Sequence, residues 1–437
     1  MSGHPSGSGS RAGHWCQAAV EAGVDFHPAM KILAAMGPTD HPAKAPADEP
    51  AGRAQPLGLA PVLRGLLRAP LAWLLVALPL AVVLDWCDVG QLWVFLASAL
   101  AIVPLAGLMG RSTEYLAETM GAAIGGLMNA TFGNAAELII ALVALSKGPS
   151  MYPLVKASIT GSIIGNILLV LGLAILLGGL RHRRQVFNAT AAGMGATLLA
   201  LATIGLIMPT LYYYLFRGGA AARGDQLHSL ESLSEEIAGI LAFIYVLSLV
   251  FSLKTHRHLF AGTESETEAS HGPLWSRSAS VTVLLLATAG VAWMSELLVG
   301  SVEHAAEAMG MNRVFVGVIV VAVIGNAAEH STAVLMAMKN KMDLAVHIAI
   351  GSGLQIALFV APVLVFASLV LGHGQLLDLH FTPLEMITLF LSVVILGMVC
   401  QDGQSHWMEG VLLLGVYVIL ALAFYHLPEV AATARDC

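Results

Sequence analysis

Two glutamates stand deep in apolar sequence, and each closes the same pentapeptide. The first is Gly133-Asn134-Ala135-Ala136-Glu137; the second, shifted by 192 residues, is Gly325-Asn326-Ala327-Ala328-Glu329. The match continues with Lys147 and Lys339 at the same offset, then with Gly161-Ser162 and Gly351-Ser352. Such a series marks a duplication. An ionisable side chain inside a membrane segment costs about 3 kcal/mol on insertion scales, so it marks a place for an ion, a proton or a partner charge. The pair is read as a cation site.

A hard cation such as Ca²⁺ takes about six to eight oxygen ligands. Glu137 and Glu329 supply the negative charge. Asn134 and Asn326, three positions earlier on the same helical face, add amide oxygens or hold the carboxylates; the plainer alternative is that each caps a helix break or bonds across helices. Gly133 and Gly325 end short stretches, from Thr131 and from Val323, whose backbone carbonyls complete a candidate shell. Ser162, Ser352 and Gln355 are candidate hydroxyl and amide ligands, with close helix packing as the competing role for the two serines.

Without a metal the two carboxylates repel each other in a low dielectric, and protons take the metal's place. That competition is the physical core of antiport. Glu114 and Glu296, at corresponding places in the two halves, are candidates for the proton path or the entrances to it; Glu114 reads equally well as part of a solvated helix end. Asn166 joins the same group. His330, where the first copy has Leu138, either packs or tunes protonation beside Glu329.

Side chains so placed need apolar helices to carry them. Of 437 residues, 57% are hydrophobic and 11% charged, about half the charged share of a soluble domain. Apolar runs of about twenty residues, enough to cross about 30 Å of hydrocarbon, fall near 70–88, 92–118, 122–146, 153–179, 186–208, 236–253, 280–304, 313–338, 343–371, 382–400 and 407–426. The expected fold is an all-α polytopic membrane protein with about eleven transmembrane helices.

Short basic clusters are retained on the cytoplasmic side. Arg64 with Arg68, the group from Arg181 to Arg184, Lys254 with Arg257, and Lys339 with Lys341 share one side if the N-terminus is inside, while Arg217, Arg223 and Arg313 fall on the other. The third span then runs outward and the eighth inward, so the two copies are antiparallel. The layout predicted is an extra helix over 70–90, a five-helix repeat over 91–253, a cytoplasmic linker over 254–279 with the acidic patch Glu264, Glu266 and Glu268, a second repeat over 280–426 and a tail over 427–437. Inverted repeats meeting near the midplane recur in secondary transporters, where interrupted helices present carbonyls and dipole ends to an ion. A Gly-Asn step weakens a helix at the required place.

Residues 1–69 read as a disordered cytoplasmic tail, since the first fifty are rich in Gly, Ser, Pro, His and Ala and hold no apolar run long enough for a signal peptide. Met30 and Met36 are alternative starts. Cys16, Cys87, Cys400 and Cys437 show neither CxxC nor zinc spacing, so no disulfide framework or structural metal is indicated. The net charge of −7 is scattered over tail and loops, which argues against a nucleic-acid partner. The lipid bilayer is the expected one.

The two Gly-Asn-Ala-Ala-Glu motifs, His330, Gly161-Ser162 with Asn166-Ile167-Leu168-Leu169-Val170-Leu171-Gly172, and Gly351-Ser352 with Gln355-Ile356-Ala357-Leu358-Phe359-Val360 together resemble the α-repeats of the cation/Ca²⁺ exchanger superfamily. Within it they most resemble the calcium/proton exchanger family. The resemblance covers the second to the eleventh span. It implies eleven helices, Ca²⁺ export or sequestration driven by a proton gradient, ion-binding glutamates at Glu137 and Glu329, and a part for Glu114 and Glu296 in the proton or cation path. Ca²⁺ and H⁺ are then cargo, and no cofactor is implied. The acidic stretch from Glu264 to Glu268 is shorter than the family's, so no regulatory role carries over. A sodium-coupled calcium exchanger is the near alternative, against which His330 and Gln355 argue. An intramembrane metalloenzyme is the distant one, and no HExxH supports it. Composition favours a bacterial plasma membrane, with a vacuolar membrane as the alternative.

Overall fold

The computed structural model describes residues 58, 61, 70–120, 122–216, 223–256, 275–371 and 374–428, all within the compact unit Gln55–Cys437. Most of the expected N-terminal tail, the acidic patch and the end of the C-terminal tail lie outside them. In chain order the helical runs are α1 (Trp73–Trp86), α2 (Gln91–Met120), α3 (Ala122–Phe132), α4 (Ala135–Ser146), α5 (Pro149–Arg181), α6 (Ala189–Leu215), α7 (Leu227–Thr255), α8 (Arg277–Met309), α9 (Arg313–Gly325), α10 (Ala327–Met338), α11 (Met342–Leu371), α12 (Pro383–Val399) and α13 (Trp407–Tyr425).

Seven of these, α2, α5, α6, α7, α8, α11 and α13, are long and apolar enough to cross a membrane. The pair α9 and α10, bent by 61°, makes an eighth if it counts as one span. Shorter apolar helices, α1, α4 and α12, stand where the remaining expected spans fall. Among the described residues length and composition alone therefore establish seven or eight spans and leave the count of about eleven unconfirmed. The shortfall has a physical source: α3 and α4 are parted at Gly133-Asn134, and the 17 residues of α12 rise only about 25 Å.

Both breaks are built alike. Asn134 (φ −97°, ψ 28°) and Asn326 (φ −90°, ψ 3°) sit in the sparsely allowed bridge region, and a glycine precedes each. The duplication is visible again downstream. α5 widens into a π turn over Gly165–Val170 and α11 into one over Ile356–Val360, each starting beside the polar residue of its copy, Asn166 or Gln355. Such turns gather at functional positions of helices.

α5 is the most enclosed span, with 72% of its apolar window buried, whereas α7 has 17%. Ile163, Ile164, Ile167 and Leu168 of α5 are fully buried, while Phe243, Val246 and Leu247 of α7 face outward as a lipid surface would require. Helices of the two halves come closest where side chains are smallest. A Cβ on Gly161 would strike the backbone of Val318, and one on Gly317 would strike Ala157. Gly161→Ala is accordingly expected to destabilise the protein by about 1–3 kcal/mol through overpacking; a thermal unfolding curve in detergent that did not move would refute this close approach.

Two connections tie the halves together at opposite ends. On one face β1 (Gln185–Val186) pairs antiparallel with β2 (Gln404–Ser405), and the Phe187 N–H donates to the Gly403 carbonyl at 2.9 Å. On the other, the extended segment before α12 docks on α6 and α7: the Phe381 N–H donates to Thr210 Oγ1 at 2.8 Å and the Leu379 N–H to Ser234 Oγ at 3.0 Å. α12 then begins with Thr382 and Glu385 in a reciprocal capping box.

Candidate functional site

The breaks place Glu137 in the first turn of α4 and Glu329 in the first turn of α10. Each glutamate lies against the glycine of the other copy. A Cβ on Gly325 would fall 2.8 Å from Cγ of Glu137, and one on Gly133 would fall 3.5 Å from Oε1 of Glu329 and 3.1 Å from Oε1 of Gln355. The absent side chains at 133 and 325 are what let the carboxylates cross. The two carboxylates thereby lie at one place, each against the other copy's break.

Around them runs a hydrogen-bonded ring drawn from both halves. Asn134 Nδ2 donates to Gln355 Oε1 at 2.7 Å, and the Ser352 hydroxyl donates to Asn134 Oδ1 at 2.8 Å. Asn166 Nδ2 donates to Ser352 Oγ at 2.9 Å and to Asn326 Oδ1 at 3.3 Å, while Asn326 Nδ2 donates to Ser162 Oγ at 2.9 Å. Asn134, Asn166, Asn326, Ser162 and Ser352 are all buried. Each bond contributes about 1 kcal/mol net, and an unmade one would cost more, so the ring fixes the geometry in which the two broken helices meet.

Not every polar atom there is satisfied. Glu137 Oε1, Glu329 Oε2, Asn166 Oδ1 and His330 Nε2 are shielded and have no hydrogen-bond partner in the protein. Buried acceptors without partners are rare in native structures and call for an explanation such as an ion. Two carboxylates and an amide oxygen are the hard donors a divalent cation or protons would take. Glu137 lines a small pocket of about 10 Å³ together with Ile140, Ala141, Ser158 and Ser162, about the room of one water or ion.

Of the residues singled out in the sequence, the structure brings together Gly133, Asn134, Glu137, Ser162, Asn166, Gly325, Asn326, Glu329, Ser352 and Gln355, with His330 adjoining Glu329. It does not bring Glu114 or Glu296 to them. Glu114 is half-buried in α2, and Glu296 is exposed and ion-paired with Lys147, ten residues along the chain from Glu137. Among the described residues no group of three or more His, Cys, Asp or Glu is placed to hold a metal. One polar cluster escaped the sequence reading. Lys156, buried in α5, pairs with Asp378 at 2.5 Å, and one turn on, Thr160 Oγ1 donates to the buried Glu385 at 2.8 Å. A lysine inside the apolar run 153–179 was the available signal.

Comparison with known proteins gives the same picture. The model of the family described as sodium/calcium exchanger protein matches residues 90–254 and 279–426. A protein of Synechocystis named Ca(2+)/H(+) antiporter is 45% identical over 372 residues, covering 81% of this chain and 96% of that protein. A Schizosaccharomyces pombe protein named vacuolar calcium ion transporter is 38% identical, covering 82% and 84%. Among solved structures, native YfkE superposes with a TM-score of 0.69 at 39% identity, over 82% of this chain and all of that one. With the paired motifs, the crossed glutamates and these matches, the chain belongs to the sodium/calcium exchanger protein family, in its calcium/proton exchanger branch.

Proposed function

We propose that this chain is a secondary active antiporter that moves Ca²⁺ across a membrane against a flow of protons, with Glu137 and Glu329 as the shared ion and proton site. The observation that carries this reading is the reciprocal crossing of the two glutamates over Gly325 and Gly133, with one shielded oxygen of each left without a protein partner. Ca²⁺ is held with both carboxylates charged, and the amide and hydroxyl ring holds the two helix starts in register. Once the ion has left, protons neutralise the same groups, and the neutral site returns. His330, next to Glu329 in the chain and with its own unpartnered Nε2, passes protons to and from that carboxyl. Glu114 and Glu296, the latter engaged by Lys147, serve the approaches of that path, away from the crossed pair.

In this reading the protein is a transporter, not an enzyme, and Ca²⁺ and H⁺ are its cargo. The membrane is a bacterial plasma membrane; the S. pombe relative leaves the vacuolar alternative to experiment. In everted vesicles prepared without sodium, an acid-inside gradient is expected to drive saturable ⁴⁵Ca²⁺ uptake that a protonophore collapses. A strict sodium requirement would overturn the reading in favour of a sodium-coupled exchanger.

A further inference from the structure

The two faces of the bundle treat their basic side chains differently. On the face away from the strand pair, every lysine and arginine whose side chain is described has an acid: Lys147 pairs with Glu296, Lys156 with Asp378 and Arg313 with Glu303. On the face of the strand pair, Arg181, Arg183, Arg184 and Lys339 are exposed, and among the described residues none of the four has an ion-pair partner.

The fold gathers these cations at one corner. α5 ends at Arg181, and Lys339 caps the end of α10. His182 Nε2 is hydrogen-bonded to the Met338 carbonyl at 3.2 Å and Gln185 Nε2 donates to the Ala337 carbonyl at 2.7 Å, so the two helix ends are held side by side. Cations at helix C-termini complement the helix dipole, which accounts for Arg181 and Lys339. It does not account for Arg183 and Arg184, which lie beyond the helix. The period of two along a strand puts Arg184 on the same face as the exposed Val186, away from the buried Gln185. The pairing of Gln185 with Ser405 sets Arg184 across from His406, which is also exposed. Three acids stand on the segments that meet there, and each is turned to a main-chain N–H: Asp343 to that of Asn188 at 2.8 Å, Asp402 to that of Gln404 at 3.1 Å, and Glu409 to that of His406.

Beside the charges the surface turns apolar. Trp407 opens α13 with its backbone against Gly179, where a Cβ would fall 2.7 Å from the Trp407 nitrogen. Its side chain is exposed, as are Leu180 and Met408, and the exposed face of α13 continues through Leu412, Ile419 and Leu422. A tryptophan at the head of such a stripe marks the level of the lipid headgroups. A basic cluster without acid partners, set over a lipid-facing stripe, is complementary to a molecule with a negative head and apolar tails.

We propose that Arg181, Arg183, Arg184 and Lys339 bind the phosphate headgroup of an anionic phospholipid whose acyl chains lie on Leu180, Trp407 and the exposed face of α13. The planar fork of arginine matches phosphate oxygens. Bound there, the lipid spans the two connections that the strand pair joins and rests against the end of α10, the helix that begins near Glu329. Such binding needs the membrane and is independent of the exchange reaction.

The test titrates full-length protein in a neutral detergent with short-chain phosphatidylglycerol or phosphatidylcholine, reading retained lipid by native mass spectrometry and the rise in unfolding temperature. Phosphatidylglycerol is expected to be retained and to stabilise the protein, and phosphatidylcholine to do neither. A basic side chain beside an anionic headgroup strengthens binding about fivefold. Arg183→Gln should therefore weaken it about fivefold, and the joint change of Arg181, Arg183 and Arg184 to Gln about 100-fold. Lys254→Gln, which removes an exposed lysine at the end of α7, is expected to leave the affinity unchanged. Equal retention of the two lipids, unchanged affinity in the triple variant, a loss in Lys254→Gln as large as in Arg183→Gln, or equal stabilisation by soluble glycerol phosphate would each overturn the site. Should the triple variant fail to fold, Arg183→Gln alone, a change at one exposed position, decides the outcome.

Discussion

Replacing Glu137 or Glu329 by glutamine is expected to abolish proton-driven Ca²⁺ uptake while leaving the protein folded and inserted. The amide keeps the shape and removes the charge. Truncating one member of a buried charge pair costs about 2–5 kcal/mol, and a cation held by a single carboxylate loses affinity by about 30-fold or more. Exchange then suffers twice, because a site with one acid also carries one proton fewer per cycle than a site with two. Stability should move the other way or not at all, because glutamine removes an ionisable group from a buried place where its charge is costly. Uptake into everted vesicles and thermal unfolding, measured side by side, separate the two effects. Near-normal uptake by either variant would sink the assignment.

A second large effect is expected away from the ion. Lys156→Met should destabilise the protein by about 3–5 kcal/mol, because it leaves a buried carboxylate without its counter-charge. Lys156 is 8% exposed, and its ammonium donates to Asp378 at 2.5 Å and to the His380 carbonyl at 3.1 Å. Burial alone pushes the Asp378 carboxyl up; the Lys156 charge and its hydrogen bond, with the His380 N–H at 2.8 Å, more than reverse that and hold it below the usual range.

The sign follows from linkage. A carboxyl whose native pKa lies below its unfolded value contributes stability that is complete above the unfolded value and is lost as pH falls through the native one. The advantage of the parent protein over Asp378→Asn should therefore be constant near neutrality and shrink below about pH 4. Removing both charges, as in Lys156→Met with Asp378→Leu, should recover most of the loss. A single Lys156→Met variant as stable as the parent would show that the pair is not buried in the folded protein.

The ion site was legible because its signal is local and repeated. Gly, Asn and Glu inside an apolar helix are each costly, and finding them twice in the same order left little else for them to be. The crossing of each glutamate over the other copy's glycine was not legible, since it depends on how two helices 192 residues apart are oriented. The same limit hid the Lys156 cluster: the lysine stood in plain view, but its partner is 222 residues away in a connecting segment. Glu296 shows the converse. Its type and place matched Glu114, yet nothing in the sequence says that the end of α4 brings Lys147 to it. The breaks inside apolar runs were not legible, because hydropathy averages over the Gly-Asn step that the backbone cannot.

The strand pair between the α5–α6 and α12–α13 connections has a bearing on how the gene has aged. Main-chain N–H and carbonyl groups hold Gln185–Val186 to Gln404–Ser405, and every residue type except proline offers both groups. Mutations that drift through these positions leave the seam closed. The descendants of one ancestral copy could thus lose nearly all likeness outside their pentapeptides and still remain sewn into a single body.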